Sequence, residues 1–129
     1  MPEVDAALCA LRVEHGVTWE QLARRVATTS GRTIRVQAIG DRRWRNATGA
    51  LSRMKDVDLI LVRHSDSPLY RTHSVLHEFG HILLNHAHCD GAIARAGEPD
   101  QELAAELIAH HLADRLYRPR DFDDQRVLG

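Results

Sequence analysis

Val75-Leu76-His77-Glu78-Phe79-Gly80-His81-Ile82-Leu83 holds two histidines four residues apart, with a glutamate directly after the first. On a helix, at about 100° per residue, His77 and His81 lie about 40° apart around the axis and one turn apart along it. Both imidazoles can therefore reach one ion. Glu78 falls about 60° from His81 on the same side, close enough to reach water on that ion without ligating it. Zinc brings the pKa of such water down to about 7, and a carboxylate can then take its proton for attack on a peptide carbonyl. The spacing marks His77 and His81 as metal ligands and Glu78 as the general base.

The flanks sharpen this reading. Glu78 is the only Asp, Glu, Lys or Arg between Ser74 and Asn85, so the helix is otherwise apolar and expected to be buried. A charged glutamate there is costly unless a cation or a proton answers it. The structural alternative is a helix with two buried, hydrogen-bonded histidines. His73 extends the column to i, i+4, i+8, but His73 and His81 are about 12 Å apart along a helix axis and cannot share an ion. The pair His73/His77 has Ser74 where a base would be needed, which leaves His73 a role on the substrate side or behind the ligands.

A catalytic zinc usually takes a third protein ligand and keeps one position open. The segment from Pro99 to Tyr117 reads as a long final helix closed by Pro119. On its wheel Glu102, Glu106, Ala109, His110 and Ala113 share a narrow sector, with Leu103, Leu107, Ile108, Leu112 and Leu116 around the rest. A helix apolar nearly all round, with one thin polar stripe, is expected to be buried and to face the metal. Glu102 is the favoured ligand, with Glu106 or His110 as substitutes. Glu106, one turn on, would accept a hydrogen bond from a ligand histidine and fix its tautomer. An acid in the first turn also stabilises the helix dipole, which is the bland reading of Glu102. His86, His88 and Cys89 are metal-capable but are read as an exposed polar loop.

Upstream, Val4 to His15 reads as a helix with Leu8, Cys9 and Leu11 toward a core and Gly16 as its stop. Thr18 and Gln21 have capping-box spacing and open a second helix, ending at Thr28 to Gly31. Thr33 to Gln37 alternates as a half-buried strand, and Thr48 to Ser52 opens another. Asp58-Leu59-Ile60-Leu61-Val62-Arg63 is the clearest strand. Pro68 suits the first turn of the histidine-bearing helix, which runs to about Asn85. Helices, then a small antiparallel three-stranded sheet, then two more helices make an α+β plan.

The chain has 129 residues, 43% of them hydrophobic and 27% charged, which fits one globular domain over residues 1–129. No apolar run approaches the roughly 20 residues of a membrane span, and the first residues carry acids where a signal peptide carries bases. Two cysteines make no disulfide framework, so a cytoplasmic setting is expected. The net charge of −1 is unevenly spread. Gln21 to Lys55 carries nine Lys or Arg against one acid, Asp41, whereas Asp90 to Gly129 carries five Arg against nine acids. Arg42, Arg43 and Arg45 around Trp44 suit a docking face or a solvated one.

With these residues in hand, the chain resembles the ImmA/IrrE family of metallo-endopeptidases. The resemblance rests on H77-E-F-G-H81-I-L-L, on E102-L-A-A-E-L-I-A109, and on the strand D58-L-I-L-V-R63 followed by Ser67-Pro68. It spans roughly Thr33 to Leu116. Family members often read E-x-E-A-(N or D)-x-F-A in the second motif, whereas this chain has Ala104 for the second Glu and Glu106 for the Asn or Asp. Were the family's ligand the Glu before the central Ala, this chain would lack it. The gluzincin pattern of a Glu followed four residues later by an acid is kept by Glu102 and Glu106, so the ligand role is carried to Glu102.

The resemblance implies a zinc-dependent cytoplasmic endopeptidase that cleaves a helix-turn-helix repressor in stress responses or mobile elements. Asp58 to Arg63 is then expected as an edge strand that receives extended substrate by strand addition. Tyr70, His73, Arg115 and Tyr117 are candidates to stabilise the oxyanion. The alternative is a catalytically silent zinc-containing module acting on a transcription regulator. Direct nucleic-acid binding is not expected: Gly16-Val17-Thr18 and Leu22 faintly suggest a helix-turn-helix, but Arg12 stands where that motif wants a small residue.

Overall fold

The computed structural model describes residues 1–40, 49–86, 89–90 and 99–117. Its elements are α1 (Pro2–Leu11), α2 (Trp19–Ser30), β1 (Thr33–Ile39), β2 (Gly49–Arg53), β3 (Val57–Arg63), α3 (Pro68–Leu83), β4 (Cys89–Asp90) and α4 (Pro99–Tyr117). The architecture is α+β. Among the described residues, no helix is long and apolar enough to cross a membrane.

Local chemistry sets the helix ends. α1 stops four residues short of His15, because Arg12 takes a left-handed conformation (φ 53°) and its N–H bonds back to the Leu8 carbonyl. Cys9 then lies on the exposed side rather than toward the core. At α2 the Thr18 hydroxyl accepts from the Gln21 N–H, and the Gln21 side chain accepts from the Thr18 N–H. Two of the four orphan donors of that helix start are satisfied in this way. α3 opens on Ser67, whose hydroxyl accepts from the Tyr70 N–H at 3.2 Å, with Pro68 in the first turn.

The sheet is mixed, not antiparallel. Its order is β1-β3-β2-β4; β1 runs parallel to β3, and β2 is antiparallel to both β3 and β4. The three longer strands do alternate in direction along the chain. The difference is that β3 inserts between β1 and β2, so the first and third strands, which run the same way, become neighbours. β3 is the most apolar strand, and the central place satisfies both of its backbone edges while burying Asp58, Ile60 and Val62 on one face. This overturns the expectation that Asp58 to Arg63 is an edge strand. Its whole length is paired with β1 and most of it with β2, leaving nothing for an added strand to bond. β1, exposed along most of its length, is an edge.

α3 packs between the sheet and α4. Its residues Val75, Leu76, Phe79 and Ile82 join Leu51, Ile60 and Val62 of the sheet, Leu22 and Val26 of α2, and Ile108 and Leu112 of α4 in one core cluster. Trp19 stacks on Phe79 with ring centroids 5.8 Å apart. α4 is not buried all round. Ala104, Ala105, Ile108, Ala109 and Leu112 are buried, but Leu103 and Leu107 are exposed, because the core claims only one face of the helix.

Candidate metal centre

The approach of α3 to α4 assembles the site. Gly80 faces the backbone of Ala105 so closely that a Cβ there would lie 2.7 Å from the Ala105 carbonyl oxygen. That contact brings the histidine column of α3 against the polar stripe of α4. The two helices then present matching columns with four-residue spacing, His73, His77 and His81 on one and Glu102, Glu106 and His110 on the other.

His77, His81 and Glu102 converge. The two Nε2 atoms are 3.2 Å apart; Glu102 Oε1 lies 3.1 Å from His77 Nε2, and Glu102 Oε2 lies 3.1 Å from His81 Nε2. Ligand bonds of about 2.0–2.1 Å at tetrahedral angles would set neighbouring donor atoms about 3.3–3.4 Å apart, so the observed spacing suits one small cation. Two imidazoles and a carboxylate are also a donor set that such an ion takes. This group could hold a metal ion.

The atoms behind these side chains orient them. Glu106 Oε1 lies 2.8 Å from His77 Nδ1. A proton held on that Nδ1 leaves the Nε2 lone pair directed at Glu102 and His81. Burial alone would raise the Glu106 carboxyl, but hydrogen bonds from His77 and His73 outweigh it and hold the group below its ordinary value. His81 is 1% exposed. Burial lowers its pKa to about 4; His77 and His86 push the same way, and Glu102 opposes them. Near neutral pH the ring is therefore uncharged, the form a ligand needs.

His86 corrects the expectation of an exposed polar loop after α3. Its Nδ1 lies 2.7 Å from His81 Nδ1, and its backbone N–H bonds the His81 carbonyl. The chain is held there by an ion-pair network that the sequence analysis missed. Asp58, fully buried, receives Arg53 through two bonds of 3.0 and 3.1 Å and pairs with Arg32 at 2.9 Å. Arg53 Nη1 then donates to the Asn85 side chain at 2.8 Å and to the His86 carbonyl at 2.9 Å. Period-two alternation through Asp58, Ile60 and Val62 was the available signal, since it points Asp58 inward with the two apolar residues. His88 and the arginines Arg42, Arg43 and Arg45 lie outside the described residues.

Glu78 is 2% exposed on α3 and belongs to neither of the two groups able to hold an ion. Among the oxyanion candidates, Arg115 is directed elsewhere: it bonds His111 at 3.2 Å and His15 at 3.0 Å, next to the α1–α2 junction. Tyr70, Tyr117 and His73 instead line one largely apolar cavity of about 360 Å³, with Leu69 and Leu76. No protein-family model, curated protein or solved structure matches the chain. Fold and site thus define an α+β protein with a histidine–carboxylate group able to hold a metal ion between two antiparallel helices.

Proposed function

We propose that this chain is a zinc metallo-endopeptidase, with His77, His81 and Glu102 holding the ion and Glu78 as general base. The observation that carries the reading is the convergence of His77 Nε2, His81 Nε2 and the Glu102 carboxylate at 3.1–3.2 Å. Glu78 follows His77 directly and stands outside that set of donors. Zinc, when bound, supplies a Lewis acid that polarises the scissile carbonyl and acidifies water. The chain's own groups do the rest. His77 and His81, oriented from behind by Glu106 and His86, would fix the ion's place. The Glu78 carboxylate takes a proton from the attacking water and returns it to the amine nitrogen as the peptide bond breaks.

The substrate we propose, on the sequence resemblance, is a helix-turn-helix transcriptional repressor in the cytoplasm. The basic segment around Trp44 would steer a partner with an acidic face, an attraction that salt screens. Glu78→Gln tests the reading as a whole. It retains the shape of the side chain but removes the proton acceptor, so zinc content should stay at one ion per chain at this site while cleavage falls at least 100-fold. A variant that binds zinc and cleaves at the wild-type rate would remove Glu78 from the mechanism. A wild-type protein that holds zinc and cleaves no repressor would favour the silent regulatory module.

A further inference from the structure

The columns on α3 and α4 have one more rung than the first ion uses. His73 Nε2 lies 3.0 Å from Glu106 Oε2, and His110 Nε2 lies 3.3 Å from the same oxygen. The rings of His73 and His110 are tilted by 58° to one another, with their centroids 5.4 Å apart. One donor atom from each of the three residues falls within 4.8 Å of the others. We infer that His73, Glu106 and His110 form a second divalent-cation site, one helical turn from the first and joined to it through Glu106.

The division of labour within Glu106 makes the two sites compatible. Its Oε1 is directed to His77 Nδ1 and its Oε2 to His73 and His110, so an ion on Oε2 leaves the hydrogen bond to His77 in place. Two imidazoles and one carboxylate select a borderline ion such as zinc, cobalt or nickel over magnesium or calcium, which want oxygen. The second site is the weaker one. Its side chains are more exposed than those of the first, His110 being 67% exposed against 1% for His81, and water competes for a ligand that must also be ordered on binding. His73 also borders the apolar cavity beside Tyr70 and Tyr117.

The site rests on geometry and stands apart from the question of peptidase activity. Its test is a titration of the metal-free full chain with cobalt(II), followed by its visible absorption and by calorimetry, and repeated with zinc. Wild type should take up two equivalents in a tight and a weaker step. The double variant His73→Ala/His110→Ala should lose only the weaker step. His81→Ala should lose the tight step and retain the weaker one, which separates failure of the first site from failure of the second. Glu106→Gln should lose the weaker step and also loosen the tight one by about 10–100-fold, since it removes the partner of His77. A single equivalent in wild type overturns the proposal. So does a second equivalent that survives His73→Ala/His110→Ala, because other histidines would then be its source. His110 is exposed enough for the single variant His110→Ala to serve if the double variant does not fold.

Discussion

Gly80 on α3 and Ala105 on α4 meet backbone to backbone: a Cβ on Gly80 would lie 2.7 Å from the Ala105 carbonyl oxygen and 2.8 Å from its Cα. Neither neighbouring atom belongs to a flexible side chain, so nothing cheap can move aside. The glycine within His-Glu-Phe-Gly-His therefore sets the distance between the helix bearing the histidines and the helix bearing Glu102.

Gly80→Ala should separate α3 from α4 and spoil the site without touching a ligand. Overpacking a tight contact costs about 1–3 kcal/mol, and here the opposing atoms are backbone. A fall of several degrees in Tm with a clear loss of metal affinity is expected in melts and equilibrium dialysis. Wild-type affinity in a fully folded Gly80→Ala protein would show that the helices approach one another for some other reason.

Metal removal should lower thermal stability, because an ion that binds only the folded chain stabilises it by mass action. At a free concentration 100 times Kd the effect is about 2.7 kcal/mol. His81→Ala should abolish the part of this stabilisation that comes from the tight site. The measurement is the difference in Tm with and without a chelator. An unchanged difference in His81→Ala would remove His81 from the ligand set.

Glu102→Ala and Glu106→Ala should differ in rank. Glu102 reaches both Nε2 atoms, whereas Glu106 reaches the far nitrogen of His77. Loss of the first removes a donor to the ion; loss of the second leaves the donors in place and costs about 10–100-fold in affinity. Competition with a zinc chelator ranks the two variants, and the reverse order would make Glu106 the ligand.

Arg53→Met should destabilise the chain and reach the metal group indirectly. Breaking a buried ion pair by removing one partner typically costs about 3–5 kcal/mol, and Arg32 at 2.9 Å from Asp58 should bring the loss to the lower end of that range. His86 would lose the donor to its carbonyl, and with it part of the support behind His81. Chemical denaturation measures the first effect and zinc affinity the second. A stability loss with no change in affinity would confine Arg53 to the fold.

Four-residue spacing, one turn of helix, is a property of the local chain, and it places His77 beside His81 and Glu102 beside Glu106 without reference to any tertiary contact. The capping box at Thr18 and the start of α3 at Pro68 were legible for the same reason: each is an interaction among residues a few positions apart. The same holds for the span of α4 from Pro99 to Tyr117. What the tertiary structure decided lies between elements. Strand periodicity carries no statement of neighbours, so it could not say that β3 enters between β1 and β2, which makes the sheet mixed and leaves no edge on Asp58 to Arg63. The burial of Asp58 depends on Arg32, twenty-six positions earlier, and on Arg53 across the hairpin. His86 reads as loop until the Arg53 side chain ties its carbonyl down beside His81. The third rung, His73 with Glu106 and His110, exists only because Gly80 lets two antiparallel helices come close enough for their columns to face each other in register.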